Sequence, residues 1–322
     1  MNPEVRIFSC DQLEELFSHY PALKYIPIAH LHSVHVLLES ENIIGYSCLY
    51  LNPDMQYSED NPVACFGALH SPNEMNAAFL LQSLEKTARM EGVRYLLGPM
   101  NGSTWESYRW MRPSAEPLFF SEEKNQEYLE ALALKNGYEI IGEYQSSRQD
   151  LSIPRNVNYR PLPEGVGIRN LNLDQFEEDL DRISELVLNG FGSNFLYTPI
   201  SKDAFKEKYR TLKAYMKPEY ILLAELPDKR LAALLFAFPD YLNPMNDTLV
   251  LKTIVRLPGR AYAGLIHCMQ EVLYQQSIND GIRYWIHAFM WKQNSSRALS
   301  EKFNGERIRE YVLVGKQLDF KS

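Results

Sequence analysis

The segment Asp280-Gly-Ile-Arg-Tyr-Trp-Ile286 repeats Glu91-Gly-Val-Arg-Tyr-Leu-Leu97 at an offset of 189 residues. Each copy follows a long apolar-periodic run, Ala261 to Asn279 or Pro72 to Met90, and each leads into a short apolar strand. A glycine just past the last helical turn adopts the left-handed conformation that stops a helix. A helix, a glycine stop and a buried strand, written twice, argue for a duplicated αβ unit.

The same duplication extends in both directions. Val36-Leu-Leu-Glu39 with Pro53-Asp54 recurs as Leu222-Leu-Ala-Glu225 with Pro239-Asp240, at an offset of 186. Val5-Arg-Ile7 before Asp11-Gln-Leu-Glu-Glu15 recurs as Val166-Gly-Ile168 before Asp174-Gln-Phe-Glu-Glu178, at offsets of 161 and 163. Downstream, Asn125, Asn136-Gly137 and Glu143-Tyr144 recur as Asn294, Asn304-Gly305 and Glu310-Tyr311. One short match arises by chance, whereas four in the same order do not. Residues 1–152 and 166–322 therefore read as two copies of one domain. They are joined by a linker over 153–165, where Pro154, Pro161, Pro163 and Gly165 interrupt any periodicity.

Within each copy the spacing predicts a helix opened by an Asp-Gln pair, Asp11 to Tyr20 or Asp174 to Leu188. Three strands come next: Ser33 to Glu39, Ile43 to Leu51 and Val63 to Leu69, or Tyr220 to Glu225, Leu231 to Phe238 and Thr248 to Val255. The long helix, a buried strand (Tyr95 to Leu97, or Tyr284 to Phe289), a second helix near Asn125 or Asn294 and a terminal strand complete the unit. The fold class expected is mixed αβ, a tandem duplication in which each half is a mixed sheet flanked by helices.

Composition narrows the function. With 33 Lys and Arg against 41 Asp and Glu the net charge is −8, so no basic field is present to concentrate nucleic acid. Cys10, Cys48, Cys65 and Cys268 share no metal or disulfide spacing, and the seven histidines show no ligand pattern, so no metal is expected. No apolar run approaches a membrane span and the N-terminus carries no signal pattern. A cytoplasmic protein that binds neither membrane nor nucleic acid is the expectation.

The junction between the last apolar strand of the second copy and its long helix reads Arg256-Leu-Pro-Gly259-Arg-Ala261. A helix N-terminus offers unpaired N–H groups and a partial positive charge, and glycine lets its backbone approach an anion. In the first copy the matching Ser71-Pro-Asn-Glu74 reads as a capping box that uses those donors internally, with Pro72 in the first helical position. No Ser, Thr, Asp or Asn caps the second copy's helix, and Arg256 and Arg260 flank its glycine. The second copy is therefore the one expected to hold a phosphorylated ligand.

At these residues the sequence resembles the GNAT superfamily of acyl-CoA-dependent N-acyltransferases, whose pyrophosphate loop reads Arg/Gln-x-x-Gly-x-Gly/Ala between a strand and a helix. A later Asn opening the next helix is matched by Asn294, and a tyrosine on the last strand by Tyr311. The resemblance implies acetyl-CoA or another acyl-CoA as co-substrate. Its holding residues would be Ile254, Val255, Arg256, Gly259, Arg260, Ala261 and Asn294, with the pantetheine arm along Ile254-Val255. It implies direct attack of an amine, from a small molecule or a peptide, on the thioester, and a degenerate first copy.

The superfamily's acid, a tyrosine seven residues after the Asn, is replaced here by Glu301. Candidate bases are His287, on the strand bordering the expected cleft, and Asp240; Glu225 is a rival. The inserts carrying Phe195 and Tyr197, and Trp105, are the expected acceptor walls. Two other functions fit the same residues: a non-catalytic acyl-CoA-binding protein, and an aminoacyl transferase using charged tRNA like the peptidoglycan-bridge enzymes of this fold. Acceptor, acyl chain length and oligomeric state are left open.

Overall fold

A computed structural model of the chain describes residues 3–58, 62–154, 161–293 and 295–319, without the side chains of 295, 296, 298 and 299. Of the expected linker, positions 155–160 lie outside the described residues, as does Asn294. The first half runs β1 (Glu4–Ser9), α1 (Leu13–His19), β2 (Leu31–Glu39), β3 (Asn42–Tyr50), β4 (Val63–His70), α2 (Glu74–Met90) and β5 (Tyr95–Gly98). Then come β6 (Trp110–Met111), α3 (Leu129–Lys135) and β7 (Glu139–Asp150). The second half runs β8 (Gly167–Asn170), α4 (Phe176–Gly190), α5 (Lys202–Leu212), β9 (Ile221–Glu225), β10 (Leu231–Pro239) and β11 (Thr248–Arg256). It ends with α6 (Leu265–Asn279), β12 (Tyr284–Trp291), α7 (Ser295–Lys302) and β13 (Glu306–Gln317).

All 13 strands join one sheet in the order β1-β2-β3-β4-β5-β13-β7-β12-β11-β10-β9-β8, with β6 attached to β13. Only β4–β5 and β11–β12 are parallel. Each is the crossover made by the long helix of its half, since parallel neighbours need a connection that long. The sequence reading gave each half its own terminal strand, and the sheet corrects this. β13 lies against β5 and β7 lies against β12, so the last strands are exchanged, and β7 and β13 pair with each other at the centre. Both strands carry a continuous run of buried residues, covered on both faces, so either fits the slot beside either parallel pair.

The exchange makes the cores mutual. On one face of the first half Leu80, Leu81 and Leu84 of α2 pack on Leu37, Leu49 and Phe66, and Val312 and Val314 of β13 complete the cluster. In the second half β10 alternates strictly: Leu234, Phe236 and Phe238 pack under α4, while Ala233, Leu235 and Ala237 pack under α6 with Leu249 and Trp285. Among the described residues no helix is long and apolar enough to cross a membrane.

The helix starts differ from those read in the sequence. Arg260–Tyr262 form a 3-10 turn and α6 begins at Leu265, four residues later than expected, because Gly264 (φ 90°) breaks the run. The first-half cap is Asn73 rather than Ser71, since Asn73 Oδ1 accepts from Asn76 N at 2.9 Å. The asymmetry between the halves survives both shifts, because no side chain caps α6.

Candidate active site

β11 and β12 pair from Thr248 with Tyr284 only as far as Leu251 with His287. Beyond that point both strands turn away. On β11, Phe236 faces Thr253 and Ala237 faces Leu251, which leaves Lys252 as a bulge. On β12 the register against β7 slips between His287 and Met290, where Phe289 takes φ 55°. The strands open around a cavity of about 630 Å³, whose walls include Lys252, Ile254, Val255, Arg256, Gly264 and His287.

The first half makes the same divergence and then closes it. β4 and β5 pair from Val63 with Tyr95 to Cys65 with Leu97. Next, Met100 N donates to Phe66 O at 2.7 Å and Asn101 Oδ1 accepts from Ala68 N at 2.9 Å. A Cβ on Gly67 would meet Asn101 Oδ1 at 2.1 Å, so the gap is filled to contact by the chain itself. Sealing of strand gap and helix end in one half, and opening of both in the other, is the main structural difference between the copies.

Two buried side chains on the open cavity have unmet polar atoms: Gln270 Nε2 and Oε1, and His287 Nε2, have no hydrogen-bond partner among the described residues. Leaving such groups unpaired costs about 1–3 kcal/mol each, so the cavity suits a ligand with amide-like donors and acceptors. Burial pushes the His287 imidazole down to about 4, so it is neutral at pH 7. Lys252 is exposed to solvent in the cavity, whose walls crowd its ammonium, and its Nζ stands 4.8 Å from the Phe289 ring centroid. Burial, with Arg109 adding to the effect and Glu123 opposing it, pushes its ammonium down to about 8.

The aromatic trio from the inserts meets on one wall. Trp105 Nε1 donates to Thr198 O at 2.9 Å and its ring packs edge-on to Tyr197 at 5.9 Å, while Phe195 stacks on Trp291 at 5.3 Å. Trp105 comes from the first half, so that half helps to build the cavity. Tyr108 and Tyr144 line it too, and burial raises the Tyr144 hydroxyl, which keeps it protonated.

Several expected residues lie elsewhere. Asp240 lines no described cavity; its Oδ1 accepts from Phe120 N at 2.7 Å and Leu242 N at 3.1 Å, tying two loops together. Glu301 is exposed on α7 and is bound by Arg297 Nε at 2.9 Å. Glu225 is held by Arg169 and Lys229. Gly259, Arg260 and Ala261 belong to the loop and turn before α6, and it is Ala263 and Gly264 that reach the cavity. The reading missed Lys252 and Tyr144. A lysine inside the apolar run Leu249 to Val255 was the available signal for the first, because lysine is rarely placed in a buried strand. Tyr144 sits in a strand whose exchange only the sheet reveals.

A second cavity, of about 610 Å³, adjoins the first. The two share Trp105, Tyr108, Lys252 and Phe289. Its walls include Arg109, Glu106, Glu122, Glu123 and Tyr311.

No family model matches the sequence, and no curated protein matches it. Solved structures do resemble it. A tandem GNAT protein from the clavulanic acid biosynthesis pathway is similar over 100% of both chains, at 13% identity and a TM-score of 0.54. A GCN5-related N-acetyltransferase from Anabaena variabilis ATCC 29413 matches 99% of this chain and 73% of its own, at 11% identity and a TM-score of 0.57. Another, from Sphaerobacter thermophilus, matches 96% of this chain and 86% of its own, at 14% identity and a TM-score of 0.51. The fold of this chain is thus that of these GNAT N-acetyltransferases, one of them a tandem GNAT protein.

Proposed function

We propose that the chain is an acyl-CoA-dependent N-acyltransferase, with acetyl-CoA as donor and the amine of a small molecule or peptide as acceptor. Its live site lies in the copy 166–322, and the copy 1–152 is degenerate and supplies an acceptor wall. The observation that carries this reading is the gap after Leu251 and His287, open on β11 and β12 while its counterpart after Cys65 and Leu97 is filled by Met100 and Asn101.

Acyl-CoA supplies an acyl group activated as a thioester. The β11 backbone at Ile254 and Val255 is an edge on which an extended amide-bearing chain pairs like an added strand. Gln270 and His287 offer that chain the polar atoms they cannot satisfy internally. The uncapped start of α6, with Arg256 beside it, attracts the diphosphate.

Acylation forms one C–N bond and breaks one C–S bond, and the acceptor ammonium gives up two protons. Lys252, at about 8, is better matched to accept the first than His287 at about 4, because a base works best near the operating pH. The second leaves with the thiol, and the Tyr144 hydroxyl stands in the cavity to relay it. His287 keeps a role in holding the donor, and Glu301 and Asp240 take none.

Thermal unfolding with and without acyl-CoA tests the reading. Acetyl-CoA at about 100 times its Kd adds roughly 2.7 kcal/mol to stability, a rise of several degrees. No rise with acetyl-CoA, longer acyl-CoAs or CoA at millimolar concentration refutes it. Thiol release over an amine panel separates an enzyme from a protein that only binds acyl-CoA.

A further inference from the structure

We propose that the second cavity is the acceptor site and that it selects amines carrying a carboxylate, an amino-acid class of substrate, with the carboxylate on Arg109 and the amine beside Lys252. The inference rests on the acyl-transfer reading above.

Position comes first. The two cavities meet at Trp105, Tyr108, Lys252 and Phe289, so a molecule in the second cavity reaches the β11–β12 gap only past Lys252. Lys252 Nζ and the Arg109 guanidinium lie 4.8 and 4.5 Å from the centroid of the same Phe289 ring. The two cations are therefore at most about 9 Å apart, a span that a small zwitterion can bridge.

Charge decides the class. The second cavity is lined by three carboxylates, Glu106, Glu122 and Glu123, and by the cations Arg109, Lys124 and Lys252. Glu122, with no exposed side-chain surface, is held by Arg309 Nε at 3.2 Å and by the Tyr311 hydroxyl; Glu106 is paired with Lys208; Glu123 accepts from Ser107 Oγ. Arg109 and Lys252 have no carboxylate within ion-pair distance among the described residues. Arg109 and Lys252, neither of them ion-paired and with the more distant Glu123 offsetting part of the charge on Lys252, set the local preference. A diamine or polyamine would bring a third and fourth cation to them, whereas an amino acid adds no net charge and sets its carboxylate against Arg109.

The Arg109 side chain is prepared for a planar anion. Its guanidinium packs over Tyr108 at 3.9 Å and Tyr144 at 4.8 Å, and Nε donates to Tyr108 O at 3.1 Å, which leaves the two terminal nitrogens as a fork. That fork matches a carboxylate bidentately. Its backbone holds φ 84° while N donates to Pro99 O at 3.0 Å, a conformation a non-glycine residue rarely takes and one concentrated at functional sites.

The test measures thiol release from acetyl-CoA with three matched sets: amino acids, the same amino acids as carboxamides, and diamines of equal length. Acetyl-CoA binding is measured alongside. The acids are expected to turn over with kcat/KM at least about tenfold above their carboxamides, the loss expected when one charge-assisted pair is removed. Arg109→Gln should raise KM for the acid about tenfold or more, leave KM for the carboxamide unchanged, lower kcat for acid and carboxamide alike at pH 7 because Arg109 no longer disfavours the Lys252 ammonium, and keep acetyl-CoA binding. If this variant does not fold, the acid-to-carboxamide ratio on the unaltered protein decides alone.

Carboxamides or diamines that equal the acids, or no turnover of any acid while acetyl-CoA binds, overturn the inference and leave the donor site standing. Failure to bind any acyl-CoA overturns both readings.

Discussion

The unequal treatment of the two long helices has a sharp consequence. Ala263, half-buried on the cavity wall just before the uncapped α6, becomes a carboxylate in Ala263→Glu. For the helix this is favourable, since an anion near an N-terminus contributes about 0.3–1 kcal/mol. For a diphosphate at the same terminus it is not. At about 5 Å, with an effective dielectric of about 40 for a half-exposed site, each charge pair costs about 1.7 kcal/mol, and two phosphate charges roughly 3. That corresponds to a loss of about a hundredfold or somewhat more in affinity. The control is Met75→Glu in the first turn of α2, at a position 65% exposed. It adds the same charge to the matching terminus, already capped by Asn73. Calorimetric titration with acetyl-CoA should show Ala263→Glu weakened about a hundredfold, with Tm unchanged or higher, and Met75→Glu unchanged. Equal weakening of the two variants, or binding by Ala263→Glu within twofold of the unaltered chain, would refute the assignment of the open copy.

Three further outcomes follow from the same geometry. Gly67→Ala drives a methyl to 2.1 Å from Asn101 Oδ1 and 2.8 Å from Met100 O, so urea unfolding should show a loss of about 1–3 kcal/mol with acetyl-CoA affinity intact; a loss below about 0.5 kcal/mol would mean the first-half gap is loose. His35 and His287 both fall from 6.5 to about 4 through burial, so the unfolded chain takes up their protons first as pH drops. Stability should therefore decline from about pH 6.5 to pH 4, by roughly 3 kcal/mol for each, and His287→Gln should remove about half of this part; an unchanged pH slope in that variant argues against a buried neutral ring. Lys252→Met should cut acyl transfer by about a hundredfold, and kcat/KM of the unaltered chain should climb with pH and level above about 8. A rate that levels near pH 4 instead assigns the proton to His287.

Much of this molecule is written locally. The apolar run Leu231 to Phe238 specifies β10 as a buried strand, and Gly92 and Gly281, each at φ 75°, stop their helices where glycine alone is unstrained. The duplication, the element order and the different chemistry at the two helix starts are likewise legible, because each depends on residues adjacent in the chain. The exact start of α6 was not, since Gly259 and Gly264 are both able to break the run and tertiary packing chose the second.

What the sequence alone determined is thus the duplicated αβ unit and which half leaves its long helix without a side-chain cap. The tertiary structure decided the exchange of β7 and β13, because an apolar run says that a strand is internal without saying beside which partner. It also decided the chemistry of the site. Lys252 and Arg109 are 143 positions apart in the chain, and only a bulge in one strand and the positive φ of Phe289 and Arg109 bring their charges to one ring.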